Sequence, residues 1–338
     1  MKPALHRLFV KCLVLALFLN LRTAANAQHI LLGNSQKVSV EAGLNFGPTF
    51  FLGDLGGNRG KGTYFVKDIN LELTKMMKGA FVSIYPNSWI GLRFAAQYTY
   101  LSGEDYTIKP EGSHELWRLE RNLDFKSNVW EAYSAIEFFP LNYMYRNYED
   151  YDPKFRPYVF GGLGIFHFDP MGSIKNINGG RTWYKLHPLR TEGQGMEEYP
   201  EKKPYKLTQL NLPMGFGVKI KLSDRVFTGT ELLYRHTFTD YVDDVSTTYI
   251  DPNYFRLYMS PQDAALAEQI SDKVNGIFNV GLNRYPPGTQ RGNPNKNDDY
   301  FSCVIKLGIK LGNNDNICLL YTSPSPRDVE ESRMPSSA

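Results

Sequence analysis

The chain has 338 residues, with 38 Lys and Arg against 35 Asp and Glu, three cysteines and 14% aromatic residues. Residues 1–27 hold four of the basic residues and no acid, and 318–338 hold two Arg and three acids, so the chain between them carries 32 basic and 32 acidic residues. That balance leaves no basic surplus for nucleic acid, and Cys303, alone between those ends, can make neither an internal disulfide nor a cysteine-based metal cluster.

Residues 1–27 have the layout of a secretory signal peptide. Lys2, Arg7 and Lys11 precede a short apolar run, Cys12–Leu19, and Ala25-Asn26-Ala27 supplies a small-x-small cleavage site before Gln28. Asn20 and Arg22 stop the run well short of the roughly 20 apolar residues of a membrane helix. At the other end, Cys318–Asp328 and Ser332–Ala338 resemble the two ends of a translated sequencing adapter, with a sample index between them. Residues 28–317 are therefore expected to form the folded unit.

Within 28–317 apolar residues recur with period two, the pattern of strands with two unlike faces. The first strand spans about 37–47, with Val38, Val40, Ala42, Leu44 and Phe46 on one side; the second spans about 78–86. The third sets Ile90, Leu92, Phe94, Ala96, Tyr98 and Tyr100 against Gly91, Arg93, Ala95, Gln97 and Thr99. The fourth (about 126–139) offers Trp130, Ile136 and Phe138 as its apolar set, and the fifth (about 156–168) offers Tyr158, Phe160, Phe166 and Phe168. The sixth sets Leu210, Leu212, Met214, Phe216, Val218 and Ile220 against Asn211, Gly215, Gly217, Lys219 and Lys221. The seventh sets Leu232, Tyr234 and Phe238 against Glu231, Arg235 and Thr237, and the eighth sets Phe301, Cys303, Ile305, Leu307 and Ile309 against Ser302, Lys306 and Lys310.

A soluble sandwich alternates too. Here, however, the polar face mixes Gly, Arg and Glu, which suits a lumen in which charges pair, and aromatics gather near strand ends as in the girdles of membrane barrels. Tight turns at Pro86-Asn87-Ser88 and Ser223-Asp224 alternate with long connections of about 30, 25, 40 and 60 residues. The expected fold is therefore all-β: an eight-stranded antiparallel transmembrane β-barrel in the outer membrane, with long extracellular loops and both termini in the periplasm.

Glu41, Arg93, Glu131, Glu137, Lys219, Glu231, Arg235 and Lys306 fall on the lumen faces. Eight strands enclose an interior that side chains just fill, so these charges are expected to plug the barrel as a paired network. Asp240, Asp243 and Asp244 concentrate carboxylates after the seventh strand, but their spacing is not that of a regular Ca²⁺ loop. His236 beside Asp240 would suit a hydrolase, yet His236 falls on the apolar register and no serine motif accompanies it. No catalytic residue, metal ligand or cofactor is assigned.

Five loop motifs occur in order: Leu52-Gly53-Asp54-Leu55-Gly56-Gly57, Gly103-Glu104-Asp105, Arg121-Asn122-Leu123-Asp124-Phe125, Leu186–Gly195 and Thr239–Ser246. Together they resemble the PorG-type outer-membrane barrels of Bacteroidetes, over about 38–311. The resemblance implies a component of the type IX secretion (gliding) machinery, tied to a periplasmic ring made of a lipoprotein and its partner. The expected role is a non-enzymatic scaffold or anchor among outer-membrane lipids; the alternative is a small-molecule transporter or channel. The connection between strands four and five, long for a periplasmic turn, alternates Tyr143, Tyr145, Tyr148 and Tyr151 with Arg146, Glu149, Asp150 and Asp152. Tyr and Arg often carry interface energy, so these tyrosines are the expected docking residues for that partner, unless they serve only as an interfacial girdle. The 240–298 stretch aligns to nothing.

Overall fold

The computed structural model describes residues 38–55, 73–107, 113–147, 153–176, 178–274 and 284–311. The expected signal peptide, the adapter-like tail, Gly56-Gly57, Tyr148 and Tyr151 lie outside them.

Eight long strands close into one antiparallel wall. They are β1 (Ser39–Leu52), β2 (Lys75–Asn87), β3 (Ile90–Glu104), β4 (Asp124–Phe138), β5 (Phe155–His167), β8 (Thr208–Lys221), β9 (Val226–Thr237) and β10 (Asp299–Leu311). The order round the wall is β3-β2-β1-β10-β9-β8-β5-β4, and β4 pairs back onto β3 from Ile90↔Phe138 to Glu104↔Asp124. Closure removes every open ladder edge from the hydrocarbon, where each unpaired backbone group would cost several kcal/mol. Two further strands, β6 (Pro170–Lys175) and β7 (Arg181–Lys185), form a hairpin attached to the outer end of β4.

The outward face is apolar around the circumference. Leu44, Phe46, Val82, Phe94, Trp130, Ile136, Leu163, Leu210, Phe216, Ile305 and Leu307 are all exposed. A soluble domain does not tolerate so continuous a band; lipid does. Strands of 12 to 15 residues exceed the roughly 9–11 that span a bilayer, so their ends project beyond it. The protein is an integral outer-membrane barrel.

Two expectations are corrected. The first strand does not stop at Gly47 but runs through Pro48 to Leu52. Proline has no N–H to give the ladder, and the β1–β10 pairing skips from Phe46↔Ile305 to Thr49↔Ser302 before continuing. Gly47 is needed there, because a Cβ would sit 1.9 Å from the Cys303 carbonyl oxygen. On β5, Tyr158, Phe160 and Phe166 point inward and are buried, as is Phe168 just beyond it; the lipid-facing set is Phe155, Val159, Leu163 and Ile165. A narrow lumen is filled by rings as well as by charges.

The described parts of the long connections lie at one end of the barrel and build a cap. They include α1 (Ser113–Arg121), the β6–β7 hairpin, α3 (Phe255–Tyr258) and α4 (Pro261–Ser271); α2 (Pro140–Met144) lies at the opposite mouth. Helix α4 starts where Ser260 accepts a hydrogen bond from the Asp263 N–H and Pro261 occupies the first turn, both favourable at a helix start. Ala264, Ala267 and Ile270 form its buried face and pack with Leu186, Leu189, Met196, Ile250 and Phe255 into a core separate from the barrel's. The described part of the 240–298 stretch thus has its own hydrophobic rationale.

Candidate functional site

All eight expected lumen charges lie inside the barrel, each no more than 6% exposed. Four carboxylates face four cations. Arg93 Nε donates to Glu137 Oε1 at 2.5 Å, and Arg93 Nη1 lies 2.8 Å from Glu231 Oε2. Lys219 Nζ bridges Glu41 (2.8 Å) and Glu137 (3.1 Å) and also reaches the Tyr85 hydroxyl, which itself donates to Glu137. Lys306 Nζ donates to Glu231 at 3.3 Å and sits 4.1 Å from the centre of the Phe81 ring; Tyr158 donates to Glu231 at 2.6 Å.

Further towards the cap, Glu131 accepts from Arg235 (3.3 Å), Asn211 (2.6 Å) and Gln97. Arg235 also donates to Ser302 Oγ at 2.6 Å. A buried ion costs several kcal/mol unless it is paired and hydrogen-bonded, and period-two alternation from six different strands brings each charge to a partner here.

Both mouths are filled. At the short-turn end Phe139 is fully buried, 5.2 Å from the Tyr158 ring and 5.9 Å from that of Tyr85. At the loop end Phe51, Leu101, Phe125, Phe166, Phe168 and Tyr205 pack into one apolar layer with Val242 and Val245. Phe168, Tyr205 and Tyr241 are stacked in series, with centroid separations of 6.1 and 4.8 Å.

Above that layer the five loop motifs converge, an assembly their sequence spacing does not reveal. Arg121 donates to both oxygens of Asp105 (2.8 and 2.9 Å), to the Asp54 carbonyl (2.8 Å) and to the Arg291 carbonyl (2.6 Å). Asp243 accepts from the Leu55 and Val245 N–H groups at 2.8 and 3.0 Å. Asp244, at φ +65°, accepts from Thr191 (2.5 Å) and Tyr205 (2.6 Å). Glu192 accepts from the Ser246 and Thr247 N–H groups and from Arg291, at 2.9, 3.0 and 2.9 Å. Arg291, fully buried, also donates to the Asp244 carbonyl at 2.6 Å. Arg291 and Asp298 were not among the expected site residues. Nothing in their local sequence marks them, since their side chains' partners lie 20 to 99 positions away.

Burial lifts the Asp240 carboxyl to about 8 and, against the pull of Arg291, that of Asp244 to about 6. Burial and neighbouring carboxylates hold Asp243 and Asp298 well above the usual carboxylate range. Asp243 and Asp244 thus serve separate anchoring contacts, and among the described residues no three His, Cys, Asp or Glu groups are placed to hold a metal. His236 faces outward and meets Asp299 at 3.1 Å, not Asp240.

Of the expected docking tyrosines, Tyr143 and Tyr145 are described and exposed. Tyr143 lies edge-on to Trp89 (5.2 Å) and near Phe138 (5.9 Å), with Arg146 over its ring at 4.5 Å. This cluster rims the short-turn mouth.

No protein-family model and no curated protein matches the chain. Among solved structures it is similar to Ail, the attachment invasion locus protein of Yersinia pestis, at 8% identity over 80% of this chain and 99% of that one, with a TM-score of 0.32. It is likewise similar to Neisserial surface protein A (10%, 82% and 100%, 0.32) and to a major outer membrane protein from Thermus thermophilus (8%, 82% and 100%, 0.35). At such scores the likeness adds nothing to what the closed ladder and apolar belt establish: the chain is a transmembrane barrel of the outer membrane, filled along its axis and capped on its loop side.

Proposed function

We propose that the protein is a non-enzymatic outer-membrane anchor, a scaffold component of the type IX secretion or gliding machinery. The observation that carries this reading is the filled lumen. A balanced charge network between two aromatic seals makes the barrel a rigid post, and it opposes the alternative of a small-molecule transporter or channel. The resemblance of the five loop motifs to the PorG-type barrels supports the particular machine, because these motifs supply residues that tie the cap down. In this reading the periplasmic rim, with Tyr143 exposed beside Trp89, Tyr145 also exposed, and Tyr148 and Tyr151 following in sequence, docks the ring lipoprotein and its partner. The test is affinity purification of the tagged chain from native outer membrane. Recovery of a periplasmic lipoprotein in stoichiometric amount is expected. Recovery of the barrel alone, under conditions that preserve other envelope complexes, would refute the anchor.

A further inference from the structure

On the lipid-facing side of β2, β3 and β4 the strands change character as they approach the cap. Ala80, Val82, Phe94, Ala96 and Ala132 give way to Tyr98, Tyr100 and Trp130, with Lys78 in register with Tyr98, and then to Lys126. The three ammonium groups here rest on rings. Lys78 Nζ lies 5.6 Å from the Tyr98 centroid, Lys75 Nζ 5.9 Å from that of Tyr100, and Lys126 Nζ 4.2 Å from that of Trp183 on β7. Between β3, β4 and the hairpin is a cavity of about 200 Å³, with Lys75, Tyr100, Lys126 and Trp183 in its walls.

Glu104 also lines the cavity, but Arg181 holds it at 2.8 Å. Lys75, Lys78 and Lys126 have no carboxylate partner among the described residues. The patch is one-sided. On the opposite wall, β9 and β10 present Tyr234, His236 and Asp299 at their cap ends, and Asp299 accepts from Tyr234 and pairs with His236.

We propose that this patch seats the phosphorylated headgroup of an outer-leaflet lipid. The height fits, because aromatic rings mark the hydrocarbon boundary and headgroup phosphates lie just beyond it. The charge fits as well: each Lys near an anionic membrane surface adds to attraction, Lys75 and Lys126 share the walls of the cavity, and Lys78 lies over Tyr98 on the same side of the barrel. Seated there, the lipid would brace the β6–β7 hairpin against the wall and fix the cap's rotation relative to the bilayer.

The test is native mass spectrometry of the full chain in neutral detergent with diphosphorylated lipid A. The same lipid stripped of its phosphates and inorganic phosphate as competitor serve as the other arms. The wild type should bind the phosphorylated lipid at least about tenfold more tightly than the stripped one, and millimolar inorganic phosphate should not displace it. The Lys75→Gln, Lys78→Gln, Lys126→Gln triple variant should lose about tenfold or more in affinity, while the corresponding triple Arg variant keeps it. Heat-modifiable gel migration checks that each barrel is folded. Equal binding of the two lipids by wild type, or undiminished binding by the folded Gln variant, would overturn the proposal. Displacement by inorganic phosphate would overturn it too, by making this a free-anion site. The wild-type arms decide the matter even if the Gln variant fails to fold.

Discussion

Arg93 on β3 and Glu231 on β9 meet 2.8 Å apart in the middle of the barrel, although their strands stand four places apart round the eight-stranded wall. The pair ties opposite walls together through the lumen. Removing Arg93 leaves Glu231 with Lys306 as its remaining cation and Glu137 with Lys219 and Lys306. Breaking a buried pair costs about 3–5 kcal/mol. Arg93→Met should therefore lower barrel stability by about that amount, read from urea titration of the folded band on a gel. Adding Glu231→Gln should recover part of the loss. A loss below about 1 kcal/mol would show that the pair does not brace the wall.

Arg291 should be as important to the cap as Arg93 is to the barrel. It joins Glu192, the Asp244 carbonyl and the Ser271 carbonyl. Arg291→Ala leaves the buried Glu192 carboxylate without its cation, and the cap should loosen while the barrel stays closed. The measurement is limited proteolysis of 186–205 and 240–298 alongside heat-modifiable migration. Rapid loop cleavage with an intact folded band is expected; protection equal to wild type would contradict the role.

The cap should also weaken as pH rises. The Asp240 and Asp244 carboxyls sit at about 8 and about 6 in the fold, against an ordinary value of 3.8. Between about pH 4 and those values the folded cap holds protons that the unfolded loops release, so its stability is full at acid pH and is lost as pH climbs through the folded values. Asp240→Asn should remove much of that slope. Loop cleavage of this variant relative to wild type, compared at each pH so that the protease's own profile cancels, should fall between pH 5 and 8.5. A flat ratio would remove Asp240 from the account.

The wall and its filling were largely readable from period-two alternation, because a residue's face on a strand is fixed by parity alone. That is why Glu41, Arg93, Glu131, Glu137, Lys219, Glu231, Arg235 and Lys306 could be placed inward without knowing their partners. Parity failed on β5, where Tyr158 and Phe160 alternate with Val159 and Gly161: both faces are apolar, so hydrophobicity does not say which is the lipid side. The cap was not readable. Its knot depends on contacts such as Arg121 with Arg291, 170 positions apart, and α4 is short, with small buried residues whose pattern is weak in isolation.

The periplasmic rim gives a separate prediction. Replacing Tyr145, Tyr148 and Tyr151 together with Ser should abolish capture of the proposed periplasmic partner while heat-modifiable migration stays normal. Tyr143 is left in place, since it packs on Trp89 and Phe138. Wild-type capture by the folded variant would reduce the segment to an aromatic girdle.

The filled barrel is tested most directly by its conductance. Purified full chain in planar bilayers, under symmetric salt, should show no steady open level of nanosiemens size, because Phe139, the charge network around Arg93 and the layer around Phe166 fill the axis in series. Stable channels of that size, altered by Arg93→Ala or Glu231→Ala, would contradict the account and return the protein to the transporters.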